Sequence, residues 1–328
     1  MIVAYSKAVG DALKEEMRRD EKIIMIGEDI GEYGNIFGVT RGMLEEFGPK
    51  RVRNTPIIEN AIVSCGVGAA ITGLRPCFEL MYSDFTMVTF TEIFHLMAKW
   101  RYMHGPQYKL PMVIRCASGS ANGAAAEHSN PVESLFMHAA GLTIITPSCA
   151  YDAKGLLKSA IRSDNPVLFC EPKQLYQSKQ EIPDVVYNSD YTIPIGVADV
   201  KRDGSDVTLV AIGLMVPRAL EAADKLKSEG ISVEVIDPRT LAPLDTETIY
   251  NSVRKTHRAA VVEESNKTSG VGAELSAKFQ EDLYYELDGP VCRIAALDVP
   301  MPYNLAMEHY SIPTVDRIVK SIREMFHQ

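Results

Sequence analysis

Short apolar runs of strand length alternate with amphipathic stretches along almost the whole chain, which is the pattern of a largely parallel sheet layered by helices. A first helix is predicted over 6–19, followed by strands at IIMIG (23–27), RPCFELM (75–81), PMVIRCA (111–117), LTIITP (142–147) and PVLFCEP (166–172). Helices are expected between them over 59–73, 89–100 and 151–162. Over 177–191 the pattern breaks into QSKQEIPDVVYNSDY, polar and aperiodic, as a connection between domains would be. A second series then begins, with strands at VTLVAIG (207–213), ISVEVI (231–236), AAVVEE (259–264) and VCRIAALD (291–298). Val216, Leu220, Ala223 and Leu226 recur at helical spacing, and Gly230 stands where a C-cap belongs. The expected class is α/β, in two consecutive blocks.

Composition narrows the function. Of the 328 residues 46% are hydrophobic and 23% charged, which excludes disordered and fibrous chains and fits two domains of ordinary size. With 34 basic and 43 acidic residues the formal charge is −9, and there is no Lys/Arg cluster to grip phosphate backbones, so no nucleic acid partner is expected. The six cysteines are scattered without a CxxC, so zinc and a disulfide framework drop out and a reducing compartment fits. The N-terminus does not read as a signal peptide, and the longest weakly polar run, 61–74, is too short to span a bilayer. A soluble, cytoplasmic protein without a membrane partner is expected.

The common phosphate-binding and hydrolase signatures are missing: no P-loop, no GxGxxG between a strand and a helix, no GxSxG, no HExxH. Two segments carry candidate chemistry. In RVRNTPIIENAIVSCGVGAAITGLRP (51–76), Glu59 heads a helix whose body is almost entirely small or apolar. Such a helix must be buried, and it allows close packing against another helix. Its leading carboxylate is either a cap on the free N–H groups or a functional acid. In RCASGSANGAAAEHSNPVESLF (115–136), a run of Gly, Ala, Ser and Asn follows a strand and ends at His128. That composition allows backbone to approach a ligand closely, or it makes a plain surface loop with a solvated histidine. The other histidines lack such context: His95 reads as part of a core helix, and His327 lies in the tail.

Over nearly its full length the chain resembles the beta subunit of the thiamine-diphosphate-dependent decarboxylating component of 2-oxo acid dehydrogenase complexes. This is the pyruvate, branched-chain and acetoin dehydrogenase group of the transketolase-like superfamily. The matching stretches are GEDIGEYGNIFGVTRGMLEEFGPKRVRNTPIIE (27–59), GLRPCFELMYSDF (73–85), EHSN (127–130), YDAKGLLKSAIRSDNP (151–166), VIDPRTLAPLD (235–245) and PMPYN (300–304). The resemblance implies a pyrimidine-binding α/β domain over 1–180, a linker over 181–200 and a transketolase C-terminal-type domain over 201–328. It implies thiamine diphosphate shared with an alpha subunit that holds the Mg²⁺–diphosphate through a GDG…N motif; this chain has no GDG.

By the same resemblance Glu59 activates the cofactor, Phe85 stacks on its pyrimidine with Met81 beside it, and His128 stands near the reacting carbon. Core packing is the ordinary reading of Phe85 and Met81. Some relatives bind K⁺ through carbonyls matching Met112, Ala160, Ile161, Ser163 and Asn165, against the plain reading of a helix C-terminus. The implied partners are an alpha subunit, in an α₂β₂ tetramer, and a lipoyl-bearing acyltransferase core. Glu281, Asp282, Glu286 and Asp288 are either a docking face for that core or a solvated helix end. The chain departs from the family at HSN, where HSQ is usual, at Glu127, where Gln is usual, and in an alanine-rich loop before His128. These departures flank the substrate and leave the particular 2-oxo acid open; because the alpha subunit contributes part of the pocket, acetoin cleavage stands as the alternative reaction.

Overall fold

The computed structural model describes residues 1–326, so His327 lies outside the described residues. By its internal contacts the chain forms two compact units. The first comprises Met1–Ser118 and Leu135–Ile195; the second comprises Gly119–Ser134 and the chain from Gly196 onward.

The first unit is built on parallel strands in the spatial order Thr143–Ile145, Val167–Pro172, Val113–Ser118, Arg75–Leu80, Ile23–Gly27 and Val52–Asn54. The inner strands are buried along their length, which is why they read as continuous apolar runs. Helices Tyr5–Arg19 and Ala150–Arg162 pack on each other. Lys154 and Lys158 are buried in that pair and both reach Glu15, at 2.7 and 3.0 Å, so their burial is matched by opposite charge.

Three expectations shift here. The aperiodic segment 177–191 is docked on the first unit: Lys179–Glu181 pairs antiparallel with Ile2–Ala4, and Tyr187 is buried with its carbonyl accepting from Lys154. The helix expected over 89–100 instead combines a π-helical turn, Glu92–Met97, with an α-helix, Ala98–His104. The wider turn rotates His95 out of the core, and it is exposed beside Lys99. Finally, the helix Glu59–Ile71 is buried on one face only. Ile62, Val63, Gly66, Val67 and Ala70 face inward, whereas Asn60, Ser64, Cys65 and Ile71 are exposed. Gly66 allows the approach to the sheet, since a Cβ there would overlap the Phe78 ring.

In the second unit the strand order is Cys292–Ala296, Ala259–Asn266, Val207–Ala211, Val233–Asp237 and Asp199–Arg202, the last antiparallel. That edge strand, DVKR, is short and polar and leaves no hydrophobic run to read. The loop 119–134 belongs to this unit although it is flanked in sequence by the first. Glu263 closes the start of helix Val271–Asp282 by accepting from Val271 N and Gly272 N at 2.7 and 2.8 Å. Burial pushes its carboxyl up to about 7 despite those donors.

Candidate functional site

In parallel α/β sheets, ligand-binding groups gather beyond the carboxyl ends of the strands. Ile23–Gly27 ends at Glu28, whose carboxylate is buried and whose Oε1 has no hydrogen-bond partner. Burial, then the charges of Glu59, Asp29 and Glu79, push its pKa up to about 7. Glu59 is the first residue of its helix and only 6% exposed, so a second carboxylate sits in the field of the first. Leaving a buried carboxyl oxygen unpaired is costly unless something else fills the position. The sequence reading singled out Glu59 and missed Glu28; its place directly after a fully buried strand was the available signal.

The adjacent strand ends handle charge differently. Arg115, 1% exposed, donates through Nε and Nη2 to both oxygens of Glu171 (2.7 and 2.9 Å) and through Nη1 to Glu79 (2.8 Å). Tyr176 Oη donates to Glu171 at 2.8 Å, and Asn35 Nδ2 donates to Glu79 at 2.6 Å. Asn35 Oδ1 in turn accepts from Phe37 N and Val39 N, both at 2.9 Å, which fixes the loop that begins at Glu28.

Met81 follows the strand Arg75–Leu80, and Phe85 lies in the short 3₁₀ helix Ser83–Met87; both are half-buried. Phe85 meets Tyr82 edge-to-face at 5.9 Å, and Tyr82 meets Phe37 at 6.0 Å. Glu28, Glu59, Met81 and Phe85 therefore all belong to the first unit.

Four of the five backbone carbonyls implied for K⁺ accept hydrogen bonds within the chain. Met112 O accepts from Val167 N and Ala160 O from Ser163 N. Ile161 O and Ser163 O accept from the Arg75 guanidinium, at 3.0 and 2.6 Å. At Asn165 it is the side-chain Oδ1, not the backbone carbonyl, that accepts from Arg101. Lys109 and Arg75 hold the Asp164 carboxyl below its usual range. The Arg75 guanidinium therefore sets a positive charge beside two of the five carbonyls, which weighs against a bare cation at that point.

His128 lies in the second unit, half-buried, with its N–H directed to Ala125 O at 3.4 Å. The neighbouring Ser129 hydroxyl is buried without a partner. Of the acidic C-terminal residues, Asp282 accepts from Tyr250 Oη at 2.6 Å and Asp288 pairs with Arg258 at 3.3 Å, while Glu281 is exposed.

Residues 2–179 match the family described as the transketolase pyrimidine binding domain, and 196–318 match the transketolase C-terminal domain. The chain is therefore a two-domain transketolase-type α/β protein. It belongs to the family of beta subunits of the thiamine-diphosphate-dependent 2-oxo acid dehydrogenases. It is 41% identical to 2-oxoisovalerate dehydrogenase subunit beta of Bacillus subtilis (strain 168), over 99% of this chain and 98% of that one. It is 40% identical to the acetoin:2,6-dichlorophenolindophenol oxidoreductase subunit beta of the same organism, covering 99% and 97%. To the pyruvate dehydrogenase E1 component subunit beta of Rhizobium meliloti (strain 1021) it is 42% identical, covering 98% and 69%. A solved structure titled as a split-gene transketolase, inactive beta4 tetramer, shares the fold with a TM-score of 0.78 at 23% identity, over 98% and 97%. The near-equal identities to three differently named relatives do not select a substrate.

Proposed function

We propose that this chain, paired with an alpha subunit, catalyses the oxidative decarboxylation of a 2-oxo acid and the reductive acylation of a lipoyl group. The observation that carries the reading is the buried pair Glu28 and Glu59, with an orphaned carboxyl oxygen beyond a strand end. That site suits a polar heterocycle, and the aminopyrimidine of thiamine diphosphate fits it. When bound, the cofactor supplies a nucleophilic thiazolium carbon and a sink for the electrons released with CO₂. Glu59 would hydrogen-bond a pyrimidine ring nitrogen and favour the imino tautomer, so that the exocyclic nitrogen can take a proton. Phe85 would cover the ring, with Met81 alongside. His128 would bind the substrate or assist acyl transfer.

The half-exposed helix Glu59–Ile71 and the neighbouring Ile57, 81% exposed, support a partner surface for an alpha subunit that holds the Mg²⁺–diphosphate, in an α₂β₂ assembly. Docking of a lipoyl-bearing acyltransferase core through Glu281 and Glu286 belongs to the same reading; Asp282 and Asp288 are already partnered within the chain. A cytoplasmic setting is supported by six free cysteines. Among the described residues no helix is long and apolar enough to cross a membrane. Acetoin cleavage, with the same cofactor, is the alternative reaction, in keeping with the 40% identity to an acetoin-named relative.

The test is to purify the chain with its alpha partner and measure turnover of pyruvate, 3-methyl-2-oxobutanoate and acetoin with added thiamine diphosphate and Mg²⁺. Cofactor-dependent turnover of a 2-oxo acid supports the reading. Turnover of acetoin alone selects the alternative, and no cofactor-dependent turnover of any of them rejects both.

A further inference from the structure

The loop 119–134 has an unusual backbone. Gly119, Asn122, Gly123 and Ala125 all have positive φ, at 80, 50, 86 and 63°, and for alanine that region is disfavoured. Within the loop, the His128 backbone N–H points to Ala125 O at 3.4 Å and Asn130 Nδ2 donates to Ala126 O at 2.7 Å. Ala126 and Asn130 also border an open concavity of about 540 Å³ shared with Asn266, Thr268 and Asp298.

Two carboxylates from distant parts of the same unit grip this loop. Glu264, near the end of strand Ala259–Asn266, accepts from Ser120 N at 2.7 Å and from the Ser120 hydroxyl. A Cβ on Gly119 would run into the Glu264 carboxylate, so this approach requires the glycine. Glu308, in helix Leu305–Ser311, accepts from Gly123 N. The two are 9% and 4% exposed, and Arg218 adds a compensating positive charge beside Glu264. Charge-assisted bonds of this kind are about twice as strong as neutral ones. Sinking two anions to grip Ser120 and Gly123 of a glycine-alanine loop does little for a hydrophobic core. It does define where the next residues go, and those residues include His128.

We propose that Glu264 and Glu308 are positioning residues that set the backbone of the 119–134 loop and thereby place His128 for the reaction. The inference rests on the reading that His128 serves turnover, and the experiment separates the two. In the assembled alpha–beta enzyme, Glu308→Ala is expected to lower kcat at least tenfold with KM within twofold, and Glu308→Gln, which keeps an acceptor, to stay within threefold of the parent. Amide exchange over 119–130 should accelerate at least tenfold in Glu308→Ala, with the sheet unaffected. In a His128→Ala background, Glu308→Ala should cost less than twofold further.

Equal losses in the two backgrounds would overturn the positioning role while leaving His128 in place. Unchanged exchange in the loop, or faster exchange with unchanged kcat, would also overturn it. A His128→Ala enzyme with full activity would remove both readings. If Glu308→Ala does not fold, Ser120→Ala decides, since it deletes only the hydroxyl donated to Glu264. A three- to tenfold loss of kcat that disappears in the His128→Ala background is then expected, and a loss that persists there overturns the proposal.

Discussion

Glu79 and Glu171 are buried at the carboxyl ends of sheet strands and share the Arg115 guanidinium between them, whereas Glu28, at the end of the strand beside Glu79's, is buried with one oxygen unpaired and Glu59 nearby. The two regions have similar burial and similar backbone support, yet one is electrostatically closed and the other open. A closed network has used its hydrogen-bonding capacity on the fold itself. An open one keeps a carboxyl oxygen for something that is not part of the chain; the difference lies in the unpaired oxygen, since burial raises the pKa of Glu79 as well as that of Glu28. The contrast supports reading Arg115, Glu79 and Glu171 as architecture and Glu28 and Glu59 as the proposed site, although the sequence shows only carboxylates in or beside apolar runs.

The comparison can be broken most severely at Arg115. Arg115→Ala leaves Glu79 and Glu171 buried without their counter-charge, and the expected loss is about 3–5 kcal/mol of folding stability. Chemical denaturation of the full chain measures it; a loss under about 1 kcal/mol would mean that the network is not structural.

Glu59→Gln should do the reverse. The fold and assembly are expected to survive, with turnover of the alpha–beta pair falling at least about a hundredfold. Near-normal rates at saturating thiamine diphosphate would return Glu59 to the role of a helix cap.

A smaller effect is expected at Glu28, and it depends on pH. Its folded-state pKa, raised to about 7, lies above the ordinary value of 4.5, so the folded chain retains a proton that the unfolded chain has released. Stability from this group is therefore complete below the unfolded value and declines as pH rises through the folded one. Glu28→Gln removes that decline: it should raise the melting temperature by roughly 2–4 °C at about pH 8, with the gain vanishing near pH 4.5. A gain that is the same at both pH values would show that Glu28 is not held protonated by its surroundings.

The smallest effect is expected at the helix end near Arg162. With Arg75 donating to Ile161 O and Ser163 O, exchanging K⁺ for Na⁺ at constant ionic strength should move the melting temperature by less than about 1 °C. A saturable rise specific to K⁺ would place the ion there after all.

The α/β class and the strands at 23–27, 75–80 and 167–172 were legible in the sequence because burial on both faces makes a strand a continuous apolar run. Glu59 was legible as a carboxylate at the head of a small-residue helix, and the resemblance then assigned it a role. Other features depended on partners far apart in the chain. The sequence could not tell the paired Glu79 from the unpaired Glu28, since the difference lies in a guanidinium that register alone brings alongside. Nor could it show that the exposed face of helix Glu59–Ile71 lacks cover, because a run of small residues has nearly the same character on every side. Residues 119–134 read as a loop of the first block, yet the structure assigns them to the second unit, where Glu264 and Glu308 hold them. Local pattern determines which residues form an element, because helix and strand periodicity are set by neighbours along the chain. Only the tertiary fold decides which charges are neutralised and which loops are gripped, because those interactions act between residues separated by as many as 185 positions.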